Sequence, residues 1–226
     1  MTSFKEKVCD ALKNKNQDLL IELLQSASSN NFDLKQEIYP DTLRLIPHEA
    51  AGFGLLRVVK FIISDMKFPV NFQQPTTLLT LLHMACREGH LSVVNYLIDC
   101  GADVNITDRE KYTALHYAVG GNYTEIASSL VSVTGIKVNE KDFLFRTPLM
   151  RAVEACNFDI IKALVEKAHA SVNIVNDSNG WTALHYASYA GFQEICKYLL
   201  KHGADSTIKD KDKRSALYYG YGQFDD

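Results

Sequence analysis

Apolar residues recur along this chain in pairs at one fixed spacing. Val58, Val59, Ile62 and Ile63 occupy positions i, i+1, i+4 and i+5. So do Val93, Val94, Leu97 and Ile98; Ile126, Ala127, Leu130 and Val131; Ile160, Ile161, Leu164 and Val165; and Ile195, Cys196, Leu199 and Leu200. On an α-helix these four positions share one stripe, so each set predicts an amphipathic helix. Leu19, Leu20, Leu23 and Leu24 predict one more near the N-terminus.

A hexapeptide precedes each of the five sets. LIPHEA ends at Ala50, TLLHMA spans 80–85, TALHYA spans 113–118, TPLMRA spans 147–152, and TALHYA returns at 182–187; SALYYG at 215–220 closes the series. Their fourth positions are His48, His83, His116, Met150, His185 and Tyr218, at intervals of 35, 33, 34, 35 and 33. A near-constant period of this length marks a repeat array. Thr113 and Thr182 are suited to cap a first helix, and Pro148 sits where a helix needs no N–H. Gly89 and Gly191 separate the two helices of their units. Gly101 and Gly203 follow the second helix, where a left-handed stop favours glycine. Asp-Val-Asn at 103–105 and Val-Asn at 138–139 and 172–173 lead into the next turn. Each unit therefore reads as helix, tight turn, helix and extended turn. One such pair cannot bury its own stripe, but stacked pairs can.

The segments TLLHMACREGHLSVVNYLIDCGADVNITD at 80–108 and TALHYASYAGFQEICKYLLKHGADSTIKDKD at 182–212 carry a specific resemblance to the ankyrin repeat family, whose pattern is T-P-L-H-x-A. The resemblance covers nearly the whole chain. It implies an all-α ankyrin-repeat solenoid of stacked helix-turn-helix units with extended β-turn tips, formed as a single domain over 1–226. The expected units are an N-terminal capping pair at 4–38, repeats at 40–72, 75–107, 108–141, 142–176 and 177–209, and a partial C-terminal repeat at 210–226. Two units depart from the pattern. In 40–72, Leu45 replaces the capping Thr and Pro47 is displaced by one position. In 142–176, Met150 replaces His and Cys156 replaces the turn glycine. Weaker local stability, on the order of 1 kcal/mol for a lost cap, is expected at both.

Composition narrows the function. The 226 residues carry a formal net charge of −3, which points to neither nucleic acid nor an anionic membrane as partner. Five cysteines, an odd number without C-x-x-C spacing, argue against a disulfide framework or a zinc site and for a cytoplasmic or nuclear protein. No apolar run approaches the ~20 residues of a membrane span. The repeated histidines invite a metal or catalytic reading. Stacked helices lie about 8–10 Å apart, too far for neighbouring imidazoles to share a metal at about 2 Å per bond. His116 and His185, two repeats apart, are further still, and the resemblance implies that these histidines tie the extended turn to the first helix. His90 is read as the first residue of its helix, His169 and His202 as solvated. His48-Glu49 lacks the second histidine of a zinc-protease motif, and Gly52-Phe53-Gly54 lacks the third glycine of a dinucleotide fingerprint. No catalytic constellation, cofactor site or metal site is expected, and the chain is read as not an enzyme. Lys209, Lys211, Lys213 and Arg214 alternate with Asp210 and Asp212 and read as a solvated end of the stack, with a nucleic-acid patch as the competing reading.

The family resemblance implies protein binding through the turn tips and exposed first-helix residues. The position before each Thr-equivalent forms the series Arg44, Leu79, Tyr112, Arg146, Trp181 and Arg214, rich in residue types that dominate interface hot spots. Phe143, Leu144 and Phe145 add an apolar tip, and Arg87, Glu88, Glu154 and Tyr189 extend the surface. The expected protein-binding residues are Leu79, Arg87, Tyr112, Phe143, Phe145, Arg146, Trp181 and Tyr189. Leu97, eight residues before Asn105 and followed by Asp103 and Val104, is similar to the family's asparagine-hydroxylation pattern; the alternative for Asn105 is a plain turn asparagine. The function expected is a non-catalytic protein-interaction scaffold, monomeric on its own, with a protein or peptide partner. Two alternatives are a regulatory domain of a larger enzyme or channel, and an ankyrin-type proteasome-assembly chaperone.

Overall fold

The computed structural model describes residues 4–28, 33–35 and 45–220. Its helices are α1 (Phe4–Lys13), α2 (Gln17–Ser28), α3 (Ile46–Gly52), α4 (Leu56–Ser64), α5 (Leu81–Arg87), α6 (Leu91–Asp99), α7 (Ala114–Gly120), α8 (Thr124–Val131), α9 (Pro148–Glu154), α10 (Phe158–Lys162), α11 (Ala183–Tyr189) and α12 (Gln193–Lys201). A π-helical turn, Ala163–Lys167, continues α10, and a 3-10 turn spans Ala216–Tyr219. Among the described residues there is no β-strand, only an isolated bridge between Lys209 and Ser215. Backbone contacts divide the chain into two compact units, Met1–Arg109 and Glu110–Asp226.

In the first unit α1 packs on α2, α2 on α4, α3 on α5, and α4 on α6. In the second, α7 packs on α9, α9 on α11, and α11 on the C-terminal 3-10 turn. The predicted stripes are what these pairs bury. Ile62, Leu97, Leu130, Leu164 and Leu199 are all fully buried. The N-terminal set is the exception: Leu20 and Leu24 are buried, but Leu19 is 41% exposed. The second leucine pair is shared in the same way, since Leu23 is only half-buried.

The helix pair is a module of fixed length. His48 to Ile62, His83 to Leu97, His116 to Leu130, Met150 to Leu164 and His185 to Leu199 are each fourteen residues apart. All variation lies in the connections, and it falls at two places. The first is the exit from the second helix. Ala102 N–H donates to Leu97 O and Ala204 N–H to Leu199 O, each five residues back, whereas Ala170 N–H reaches Leu164 O, six back; all three bonds are 2.9 Å. Phe68 N–H also reaches six back, to Ile62 O at 3.1 Å, after an ordinary α-helix; at Ala170 the added residue coincides with the π-helical turn, whose wider ring can hold one extra residue. The second place is the tip, where Asn176 to Thr182 is one residue longer than Asp142 to Thr147.

Each tip is a tight hairpin. Asp142 N–H donates to Arg146 O at 2.9 Å, Asn176 N–H to Trp181 O at 2.7 Å, and Asp210 N–H to Arg214 O at 2.8 Å. The residue two before the Thr-equivalent is left-handed in every tip: Leu78, Lys111, Phe145, Gly180 and Lys213 all have φ near +60° to +80°. Neighbouring tips then join by backbone. Within the second unit Phe143 N–H donates to Glu110 O and Lys211 N–H to Asn179 O, both at 3.0 Å.

Gly180 is where this joining leaves least room. A Cβ there would stand 2.9 Å from Asp210 Cα and from Lys211 N, which are backbone atoms that cannot swing aside. Gly101 has a similar φ of +82° but open space around it. Gly180→Ala is therefore expected to destabilise the fold by more than about 2 kcal/mol, and Gly101→Ala by only about 1 kcal/mol. Paired urea titrations measure the difference; equal losses would remove steric contact as the cause.

Candidate functional site

The repeated histidines hold tips that carry several of the other candidates. Thr80, Thr113 and Thr182 cap α5, α7 and α11, each accepting from the N–H of the histidine three residues on. Each histidine replies through Nδ1, which accepts the Thr N–H at 3.0 Å for His83 and 3.2 Å for His116 and His185. An Nδ1 that accepts leaves the proton on Nε2. That Nε2 donates into the following tip: His83 to Ile106 O at 3.0 Å, His116 to Arg146 O at 3.3 Å, and His185 to Arg214 O at 3.3 Å. His48 does the same to Leu79 O at 3.0 Å, but Leu45 offers no side-chain cap and the buried Nδ1 finds no partner among the described residues. The imidazoles are thus fasteners. Among the described residues no three His, Cys, Asp or Glu side chains gather as a metal-holding group.

His90 differs slightly from expectation. It stands just before α6, and its Nε2 bonds Gly52 O at 2.8 Å. His202 is not simply solvated: it is half-buried, its ring 4.1 Å from that of Tyr198, with Nδ1 donating to Tyr198 O at 2.8 Å. His169 is exposed, as expected.

The candidate binding residues separate by unit. In the first unit, Leu79 is buried at 6% exposure and cannot present its side chain to a partner. Its small apolar side chain folds into the core while its carbonyl serves His48. Arg87 is exposed and paired with Glu88 at 3.0 Å. Asn105 is half-buried, and its N–H caps back onto Asp103 Oδ1 at 2.9 Å. Arg44 lies outside the described residues.

In the second unit two aromatic clusters form. Tyr112 packs against Phe143 at 5.7 Å and Tyr117 at 5.3 Å, with the Arg151 guanidinium 4.9 Å above its ring. Beside it, Asp142 is buried and fully used: Oδ1 accepts from the N–H groups of Leu144 and Arg146 at 2.9 Å, and Oδ2 takes Arg151 at 3.1 Å and Arg146 at 3.3 Å. Arg146 also reaches Glu154 at 3.0 Å. Burial works against the Arg146 charge, but Glu154 and Asp142 outweigh it and raise its pKa. Phe143, Leu144 and Phe145 stay 47%, 43% and 39% exposed.

The second cluster centres on Trp181. Tyr219, Tyr186 and Tyr189 lie 5.0, 5.1 and 5.2 Å from it, and His185 stacks on it at 6.3 Å. Tyr189 is 68% exposed. Tyr219 O–H donates to buried Asp210 at 2.6 Å. The sequence reading missed Asp142, Arg151, Tyr186 and Tyr219. A signal for Asp142 existed: Gln74, Asp108, Asp142, Asn176 and Asp210 stand 34 residues apart and are all buried.

The helix pairs, capped histidines and joined tips define an ankyrin-repeat architecture. The profile for ankyrin repeats (3 copies) matches residues 47–142 and 143–210. The chain belongs to the ankyrin repeat family, a protein-interaction fold, and shows no catalytic domain of its own. It is 30% identical over 82% of its length to palmitoyltransferase AKR1 of Lachancea kluyveri, but spans only 25% of that protein. It is also 30% identical to the probable 26S proteasome regulatory subunit p28 of Saccharomyces cerevisiae, covering 74% of each. The crystal structure of the ankyrin repeat domain of Bcl-3 superposes with a TM-score of 0.80 over 95% of this chain and 93% of that one, at 24% identity. No helix among the described residues is long and apolar enough to cross a membrane.

The fasteners carry a pH dependence. Burial lowers the pKa of His48 and of His116 from 6.5 to about 4, against the opposing pull of the Leu79 and Arg146 carbonyls. Burial lowers that of His185 too. The unfolded chain binds protons on these rings before the folded chain does. Their contribution is therefore complete above about pH 6.5 and lost as pH falls towards 4, up to about 3 kcal/mol for each of His48 and His116. Urea midpoints between pH 7 and pH 4.5 should fall steeply, and His116→Gln should flatten the slope. An unchanged slope in that variant would remove His116 from the account.

Proposed function

We propose that the tips and first helices of the second unit dock a protein or peptide partner through Tyr112, Phe143, Phe145, Arg146, Trp181 and Tyr189, and that the chain acts as a non-catalytic scaffold in the cytoplasm or nucleus. The observation that carries this reading is the tip of Phe143, Leu144 and Phe145, which are 47%, 43% and 39% exposed. Three consecutive large apolar residues kept in water form the kind of patch that marks a surface meant to be covered. Phe145 takes the left-handed tip position that Leu78, Lys111 and Lys213 also take, with φ of 58°, at a cost of about 1 kcal/mol relative to glycine.

Two other readings have an observation each. The length match to yeast p28 supports a role with the proteasome. The quarter-length match to a palmitoyltransferase supports a regulatory domain of a larger enzyme. Co-purification with proteasome subunits, or a full reading frame encoding a catalytic domain, would favour them respectively. Asn105 is proposed as a hydroxylation site; a tryptic peptide heavier by one oxygen atom would establish it.

Affinity purification with mass spectrometry identifies partners, and titration with each purified partner tests the surface. Trp181→Ala with Arg146→Ala should weaken binding about tenfold or more, equivalent to about 1.4 kcal/mol, with helicity intact by circular dichroism. Phe145→Gly should weaken binding while leaving stability unchanged or raised. Undiminished affinity in both variants rejects the site.

A further inference from the structure

We infer that the Trp181 end of this surface selects an acidic peptide, one that sets an apolar side chain against Trp181 and Tyr189 and carboxylates against the tip at 209–214. The inference rests on the docking reading above and adds the partner's charge to it.

The tip at 209–214 holds Lys209, Lys211, Lys213 and Arg214 against Asp210 and Asp212. The structure removes one of those carboxylates from the surface. Asp210 is 6% exposed, and its Oδ1 is taken by the N–H groups of Asp212 and Arg214, its Oδ2 by Tyr219. Asp212 alone remains outward, and it is shared with Arg214 at 3.4 Å. Lys209, Lys211 and Lys213 are exposed. A chain of net charge −3 thus concentrates cations on one tip. That tip is joined to the Trp181 hairpin by the bond from Lys211 N–H to Asn179 O, 3.0 Å. Aromatic side chain and cations therefore lie on adjoining hairpins.

The same geometry argues against single-stranded nucleic acid. Base stacking needs an open ring face. His185 lies nearly parallel to Trp181, at 23°, and Tyr186, Tyr189 and Tyr219 crowd the indole at 72°, 55° and 56°. What remains open is the Tyr189 ring, 68% exposed beside the indole, a surface that suits an aliphatic or phenyl side chain.

Trp181 is the chain's one tryptophan, so its emission reports occupancy directly. Three short fluorescein-labelled peptides sharing a Leu-Phe core, flanked by Asp/Glu, Ser/Gln or Lys/Arg, and an oligothymidylate are the probes. Tryptophan emission is followed with the full chain and with Lys211→Glu/Lys213→Glu, and fluorescein anisotropy with both and with Trp181→Ala. The acidic peptide should bind at least about tenfold tighter than the neutral one, and weaken as salt shortens the reach of the cations. The double lysine variant should erase that preference, and Trp181→Ala should weaken both peptides. Equal binding of acidic and neutral peptides, lost in Trp181→Ala, overturns the charge selectivity and leaves the docking reading standing. Binding of every peptide unaffected by Trp181→Ala, or of none, overturns both. Tighter binding of the basic peptide, or of the oligothymidylate alone, also overturns the inference.

Discussion

One proton on one ring nitrogen governs how these units hold their tips. The Thr N–H and the threonine hydroxyl both approach Nδ1 of the imidazole, so the ring must be neutral with its hydrogen on Nε2. Only then is there a donor for the carbonyl of the tip that follows. A protonated ring would turn two N–H groups towards each other in a buried place. The carbonyls so held belong to Arg146 and Arg214, so the backbone of each following tip is fixed by a buried ring of the unit before it.

Carboxylates complete what the imidazoles begin. Asp142 and Asp210 each gather two backbone N–H groups of their own tip and so fold the hairpin around a buried charge. In one tip the remaining oxygen draws in Arg146 and Arg151; in the other it draws in Tyr219. The frame is common to both, and the side chain recruited differs. The first cluster thereby gains two paired guanidinium groups, and the second gains a tyrosine.

The helix pairs were legible because their phase never changes, fourteen residues from the histidine position to the buried leucine or isoleucine. The connections were less legible, because the hexapeptide intervals of 33 to 35 blur two independent length changes. Measured from the helix exit instead, Lys67, Gly101, Gly135, His169 and Gly203 recur every 34 residues, all with positive φ. Non-glycine residues at two of these places hid the column. Register alone places Leu79 on the surface, but register locates a carbonyl more surely than it locates a side chain. Leu19 belongs to a predicted stripe, yet it lies on a helix of the N-terminal pair whose stripe is only partly covered. Of the aromatic partners of Trp181, Tyr219 escaped because it lies in the next unit along the sequence.

The π-helical turn at Ala163–Lys167 bears on how such a chain changes over time. A residue inserted inside a helix ordinarily rotates everything after it by 100° and turns a buried stripe outward. Here the extra residue lies past Leu164, after the last buried position that must face the neighbouring pair, and the turn widens to return the chain to phase by Ala170. Insertions are thus filtered by where they fall along the pair. Those before the final buried leucine scramble the interface, while those just after it leave the array in step and only lengthen the road to the next tip.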